Sequence, residues 1–176
     1  EIPENILKNW RKIGEKGITL EKKWLSDLDK KNSKIKKELD LIQNNSNLET
    51  LDSLINAEKE KFFKEKPSKA TRECSSITIE AVTKLLPEII GGSADLSGSN
   101  NTKTKNSKVI SSKNFDGNYI HYGIREHGMA AAMNGLALYG GLIPYGGTFL
   151  IFSDYCKPSI RLSALMGLKV IYIFSH

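Results

Sequence analysis

The sequence predicts an α/β protein in its second part, with a largely parallel sheet and flanking helices, preceded by an α-helical connector. Three observations carry this. After Pro67-Ser68, helix-period and strand-like segments alternate, the pattern of a sheet built through crossover helices. Polar residues gather just after the strand-like runs, where open parallel sheets place their ligands. Residues 4–66, in contrast, show apolar spacing of helical period and no strand signal.

In chain order, Ile6, Trp10 and Ile13 mark a first amphipathic helix that should stop near Gly14 and Gly17. Thr19 then caps a second helix carrying Leu20, Trp24, Leu25 and Leu28, and Ser46-Asn47-Leu48-Glu49 has the spacing of a capping box before Leu51, Leu54 and Ile55. The heptads break at each Gly or Asn cluster, which argues against a coiled coil and for a connector packed on something outside the chain. Beyond Pro67, Ile77, Ala81, Val82 and Leu85 recur at helical spacing up to Pro87. Glu88 to Gly91 reads as a short strand that leaves into Gly92-Ser93-Ala94-Asp95-Leu96. Residues 97–118, rich in Ser, Asn and Lys, read as a loop region without core residues. Tyr119 to Ile124 is β-rich, and Gly123 permits a sharp turn into a small-residue helix holding Met129, Ala132, Met133, Leu136, Ala137 and Gly140. A glycine turn at 146–147, a helix over Ser159 to Met166 and a β-run from Leu168 to Phe174 complete the chain.

Composition excludes several classes of function. The net charge of +6 invites a nucleic-acid reading, but residues 1–66 hold 15 Lys/Arg against 13 Asp/Glu, and the signs alternate as on a solvated helical face. No nucleic-acid partner is expected. No apolar run approaches the ~18 residues of a membrane span, and no membrane association is expected. Cys74 and Cys156 lie far apart without metal-ligand spacing, so both read as reduced core thiols in a reducing, cytoplasmic compartment. Glu1 opens without an initiator Met and His176 directly follows a strand-like run, so an internal piece of a longer chain is expected.

Glu126 is the sharpest candidate for chemistry, since a carboxylate at the start of a buried helix is costly unless something pairs with it. The spacing alone leaves two readings open, a structural ion pair with Arg125 or a functional carboxylate. Phe149, Phe152 and Tyr155 fall at i, i+3 and i+6, an aromatic face that serves either a core or a flat ligand. Arg72, Ser99, Asp95 and His176 each have an ordinary reading as surface cation, turn residue, turn aspartate and strand-end polar group.

Gly-Ile-Arg-Glu-His-Gly-Met at 123–129, Pro-Tyr-Gly-Gly-Thr-Phe at 144–149 and Gly-Gly-Ser-Ala-Asp-Leu at 91–96 together closely resemble transketolases of the bacterial type. The resemblance runs from about residue 70 to 176 and extends more weakly to Asn9-Trp10-Arg11-Lys12-Ile13-Gly14, which is similar to the segment leaving that family's first domain. It implies residues 1–66 as a connector from a diphosphate-binding domain and residues 67–176 as the first part of a pyrimidine-binding domain. It implies thiamine diphosphate as cofactor, with Glu126 on N1′ of the aminopyrimidine so that N4′ can take the proton from C2. Phe149, Phe152 and Tyr155 would wrap the pyrimidine ring, with Phe152 stacked on it, and Asp95 and Leu96 would lie beside the cofactor. Arg72, Ser99 and His176 would converge on the phosphate of a phosphorylated sugar substrate, an arrangement suited to a dianion. A homodimer is implied, as is transfer of a two-carbon ketol group between sugar phosphates.

The family's Gly-Asp-Gly motif with a downstream Asn pair is not present. Asp116-Gly117-Asn118 is a weak imitation in the loop region, so no metal ligand is assigned here, and a divalent metal (Mg or Ca) would be held by an upstream domain. Gly98 stands where relatives often carry another residue, which blurs the match at Ser99. A dihydroxyacetone synthase, a deoxyxylulose phosphate synthase or a non-catalytic half-site needing a partner remain alternatives.

Overall fold

The computed structural model describes residues 2–44 and 48–176, and the chain separates into two compact units, residues 1–41 and 42–176. The first unit holds helix α1 (Glu4–Asp29) and most of α2 (Ser33–Asn44). α1 is one continuous helix, where two helices broken at Gly14 and Gly17 were expected. Nothing lies within 4 Å of a Cβ built at either glycine, so each costs the helix only its intrinsic penalty, roughly 0.5–1 kcal/mol against Ala. Thr19 is an interior residue whose hydroxyl donates to the Glu15 carbonyl at 3.4 Å, and it caps nothing. The turn between the helices is tied by the Lys34 N–H donating to Asn32 Oδ1 at 2.9 Å and by a Lys36–Asp29 ion pair at 3.1 Å. The capping box read at Ser46 and Asn47 lies outside the described residues.

The second unit is an α/β layer. Its elements are α3 (Leu48–Glu65), α4 (Thr71–Leu85), β1 (Ile89–Ser93), α5 (Ser97–Asn100), β2 (Tyr119–His121), α6 (Glu126–Tyr139), β3 (Ile143–Phe149), a 3-10 turn (Leu150–Phe152), α7 (Ser153–Leu165) and β4 (Ile171–Ser175). The four strands form one all-parallel sheet in the order β2-β1-β3-β4, as the alternation of elements predicts. Glu73 opens α4 by accepting the Ala70 N–H at 2.9 Å, one arm of a capping box.

Consecutive residues of β3 point to opposite faces of the sheet. Tyr145 packs with Leu86 and Ile89 on one face, together with Val82 and Leu85 of α4 and Leu51 of α3. α3 therefore packs within the chain, where its apolar face was expected to need something outside it. On the other face Met129 and Met133 of α6 pack with Ala94, Tyr122 and Tyr172. Gly146 explains the closeness of α6: a Cβ there would run into the Met133 sulfur and come within 2.9 Å of the Met129 sulfur. The Gly146-Gly147 pair is therefore not a turn but the middle of a buried strand.

Three other expectations change. β2 ends at His121, short of Ile124, because Gly123 takes φ +72° and leads the backbone into α6. α7 begins at Ser153, six residues before the expected Ser159. The 97–118 segment does carry core residues: Asn100 and Thr102 are fully buried, and Thr104 is 6% exposed. Their side chains are polar, so a search for apolar residues passes over them. α6 itself is buried on one side only, through Met129, Ala130, Met133 and Asn134, while Leu138 and Tyr139 are 59% and 88% exposed. No helix among the described residues is long and apolar enough to cross a membrane.

Candidate active site

In a parallel sheet every strand delivers its carboxyl end to the same edge. Here that edge receives Asp95, Leu96 and Ser99 after β1, the Tyr122–Glu126 turn after β2, Phe149 and the aromatics that follow it after β3, and His176 after β4. α4 runs into β1 from the opposite direction, so its first turn, with Arg72, lies at that edge too. Helices α6 and α7 also begin there, and helix amino termini favour negative charge.

Arg72 and His176 are 104 residues apart and meet directly, Nη1 to Nε2 at 2.9 Å. The His176 ring lies against Phe149, centroids 4.7 Å apart and planes tilted by 59°. Phe149 stacks on Phe152 at 5.8 Å and 25°, and Phe152 meets Tyr155 at 6.0 Å and 38°. The three aromatics thus form a ladder, although they do not share one helical face. Phe149 ends β3, Phe152 lies in the 3-10 turn and Tyr155, 64% exposed, lies in α7. The stretch bends from strand to helix and still keeps the rings in register.

Glu126 is the first residue of α6 and is half-buried. No ion pair joins it to Arg125 among the described residues. Arg125 Nη1 instead donates to the Tyr122 carbonyl at 3.0 Å, bracing the turn at Gly123. The Glu126 carboxylate reaches electrostatically toward Cys156 of α7: burial first, and then that negative charge, push the Cys156 thiol up to about 11. Cys156 is therefore the buried thiol expected, while Cys74 is only partly buried. Burial likewise pushes the Tyr122 phenol up to about 12. Among the described residues no hydrogen bond links Glu126 to the aromatic ladder, so the site has two parts along one edge.

Asp95 is exposed and takes φ +60°, a left-handed conformation that Asp tolerates better than most residues. The turn before it is pinned by Ser93, whose hydroxyl donates to the Gly147 carbonyl at 3.0 Å and accepts the Leu96 N–H at 3.1 Å. Leu96 and Ser99 are half-buried at the edge, Ser99 within α5. His127, read from sequence as structural, faces α7, with Nδ1 3.3 Å from the Ser159 hydroxyl.

The reading from sequence missed the polar layer beneath this edge. The Thr102 hydroxyl and the Tyr119 phenol are 2.8 Å apart, the Tyr119 phenol donates to the Ser97 hydroxyl at 2.8 Å, and the Tyr145 phenol donates to the Thr102 carbonyl at 2.8 Å. Asn100 donates from Nδ2 to the Ser175 hydroxyl at 3.1 Å. The available signal was a run of Ser, Thr and Asn directly after a strand end. No group of three or more His, Cys, Asp or Glu side chains suited to a metal ion occurs among the described residues.

A parallel α/β sheet that gathers a carboxylate, a ring ladder and an Arg–His pair at its carboxyl edge defines an α/β domain whose candidate binding residues lie where such sheets place their ligands. Residues 67–176 match the model of the transketolase pyrimidine-binding domain. Over all 176 residues the chain is 46% identical to a transketolase of Cereibacter sphaeroides, and it spans 26% of that protein's length. A solved transketolase from Campylobacter jejuni superposes on the whole chain with a TM-score of 0.79 at 32% identity, with 26% of its own chain covered. A Pichia stipitis transketolase solved with sedoheptulose-7-phosphate matches 62% of the chain at 42% identity, with 17% of its own chain covered and a TM-score of 0.61. The chain belongs to the transketolase family, with residues 67–176 matching its pyrimidine-binding domain, and it spans about a quarter of the length of the Cereibacter and Campylobacter relatives.

Proposed function

We propose that the protein carrying this chain is a thiamine diphosphate-dependent transketolase, which moves a two-carbon ketol group from a ketose phosphate to an aldose phosphate. The convergence of Glu126, the aromatic ladder and the Arg72–His176 pair on one sheet edge of a transketolase-family domain is the observation that supports this most strongly. Residues 67–176 act as the first part of the pyrimidine-binding domain, and residues 1–66 as the connector from a diphosphate-binding domain.

The residues fit the pyrimidine half of the cofactor. A flat heteroaromatic ring is held well by the face of a ring such as Phe152, and offset stacking contributes roughly 0.5–1.5 kcal/mol per pair beyond area burial. Glu126 begins α6, half-buried at the sheet edge, so its carboxyl is placed to hydrogen-bond N1′ of a bound pyrimidine. Asp95 and Leu96 flank the same ligand. When bound, thiamine diphosphate supplies the carbon nucleophile and the electron sink for two-carbon transfer.

Arg72, Ser99 and His176 bind the phosphate end of the sugar, Arg72 through its planar fork of donors. The Pichia stipitis relative solved with a sugar phosphate supports that substrate class. The divalent metal, Mg or Ca, is held outside this chain. The exposed apolar residues of α6 and α7, Leu138, Tyr139, Leu162 and Leu165, suit burial by a second subunit, in keeping with a homodimer in the cytoplasm.

The test is Glu126→Ala in the full-length protein with cofactor bound. Deuterium exchange at C2 should slow by roughly 10²–10⁴-fold, the usual contribution of a positioned acid–base group, with the thermal midpoint retained. Exchange at the wild-type rate would remove Glu126 from this role.

A further inference from the structure

The Arg72–His176 contact has a direction, and the direction can be read from the chemistry of the donors. A guanidinium offers only N–H groups and accepts nothing. Nε2 of His176, 2.9 Å from Arg72 Nη1, must therefore present its lone pair. In a neutral imidazole the proton then sits on Nδ1. Nδ1 lies 3.1 Å from the Ser175 hydroxyl, which accepts that proton's hydrogen bond. The same hydroxyl also accepts from Asn100 Nδ2 at 3.1 Å.

Asn100 reaches this position from the last turn of α5 and is fully buried, while its Oδ1 has no partner. A buried amide with an unpartnered oxygen is uncommon, and the contact this side chain makes at the site runs through its NH₂ group. The Phe149 ring, 4.7 Å from the imidazole centroid, restricts the ring from another direction.

Building on the phosphate-site reading above, we infer that Asn100 and Ser175 are positioning residues that fix the orientation of the His176 imidazole, whose Nδ1–H form the guanidinium selects, so that Nε2 anchors one arm of Arg72. One N–H of Arg72 is committed to His176, and the others stay free and oriented for the oxygens of a sugar phosphate. Ser175 and Asn100 touch the substrate through neither atom; they act through the imidazole. Asn100 Nδ2 fixes where the Ser175 oxygen lies, and that oxygen fixes the ring through Nδ1. Removing the Asn100 amide would leave the Ser175 oxygen free to shift away from Nδ1.

The experiment is steady-state kinetics of the full-length holoenzyme with a phosphorylated ketose and with the same ketose lacking its phosphate. Arg72→Ala serves as the reference and should raise KM for the phosphorylated donor far more than for the other. Ser175→Ala should raise KM for the phosphorylated donor by about tenfold, with kcat within about twofold and KM for the unphosphorylated donor unchanged. Ser175→Thr, which restores the hydroxyl, should return KM to near the wild-type value, and Asn100→Ala, which removes the donor to Ser175, should raise KM for the phosphorylated donor in the same direction as Ser175→Ala. If Arg72→Ala shows the phosphate-selective effect and Ser175→Ala shifts both KM values equally, or neither, the positioning role is overturned. If Arg72→Ala shows no selectivity, the phosphate-site reading fails and the inference goes with it. Should Asn100→Ala not fold, the Ser175 pair decides alone.

Discussion

α1 and α6 are both helices with many apolar residues, and they end up in opposite situations. Along α1, Trp10, Ile13 and Trp24 are 58%, 69% and 54% exposed and no residue is buried. Along α6, Met129, Ala130 and Met133 are each 0% exposed. The difference lies less in the helices than in what faces them. α1 displays a stripe of large side chains with charged residues on its remaining surface. α6 presents small residues and two methionines to a strand that has a glycine at the point of closest approach. A periodic apolar pattern therefore announces a face, while burial requires a partner surface of complementary shape.

Breaking the α6 side of this comparison should have the largest effect. Gly146→Val places a branched side chain where the Met133 and Met129 sulfurs already sit. Overpacking costs typically ~1–3 kcal/mol or more, and here the five central residues of the strand are buried, so the folded domain should be lost at or below growth temperature in a thermal melt. Met133→Ala should come next, lowering unfolding free energy by about 2–5 kcal/mol in denaturant titration, the range for truncating a buried Met. A loss below ~1 kcal/mol would mean that α6 does not seal the sheet. The smallest effect belongs to α1. Trp10→Ser should change the stability of this chain by no more than about 0.5 kcal/mol, because the indole buries little here. In the full-length protein the same substitution should cost several times more if the stripe packs on another domain. Equal, negligible costs in both settings would leave the stripe a solvated face.

The same two helices show what could be read from sequence. The core of α6 was legible because Met129 and Met133 keep helical spacing, and the parallel sheet was legible from the alternation of elements around it. Gly14 and Gly17 misled because glycine weakens a helix without ending it, and 26 residues of otherwise adequate helix formers tolerate two of them. Gly146-Gly147 misled for the converse reason: a glycine pair reads as a turn unless one knows that two sulfur atoms press on the strand. Of the residues named from motif, the structure brings Glu126, Arg72, His176 and the aromatic ladder to one sheet edge. The Arg125–Glu126 ion pair was not formed, since the Gly123 turn offers the guanidinium a carbonyl that sequence spacing cannot display. Asn100, Thr102, Tyr119 and Ser175 were missed because their importance arises from contacts across long separations, 75 residues between Asn100 and Ser175.

The strand order carries a consequence for synthesis. β1 and β3 lie side by side at the centre of the sheet, yet Ser93 and the Gly147 carbonyl it bonds are 54 residues apart, with β2 emerging in between to occupy the other side of β1. At a ribosome's pace of about 5–20 residues per second, β1 waits several seconds with one hydrogen-bonding edge uncovered while α6 is still being made. Nascent chains paused in that interval would have only β1 and β2 to pair, and a two-stranded pair has little independent stability. They are the species on which a chaperone has most reason to act, and slowing translation between residues 121 and 143 should lower the yield of folded protein more than slowing it after residue 175.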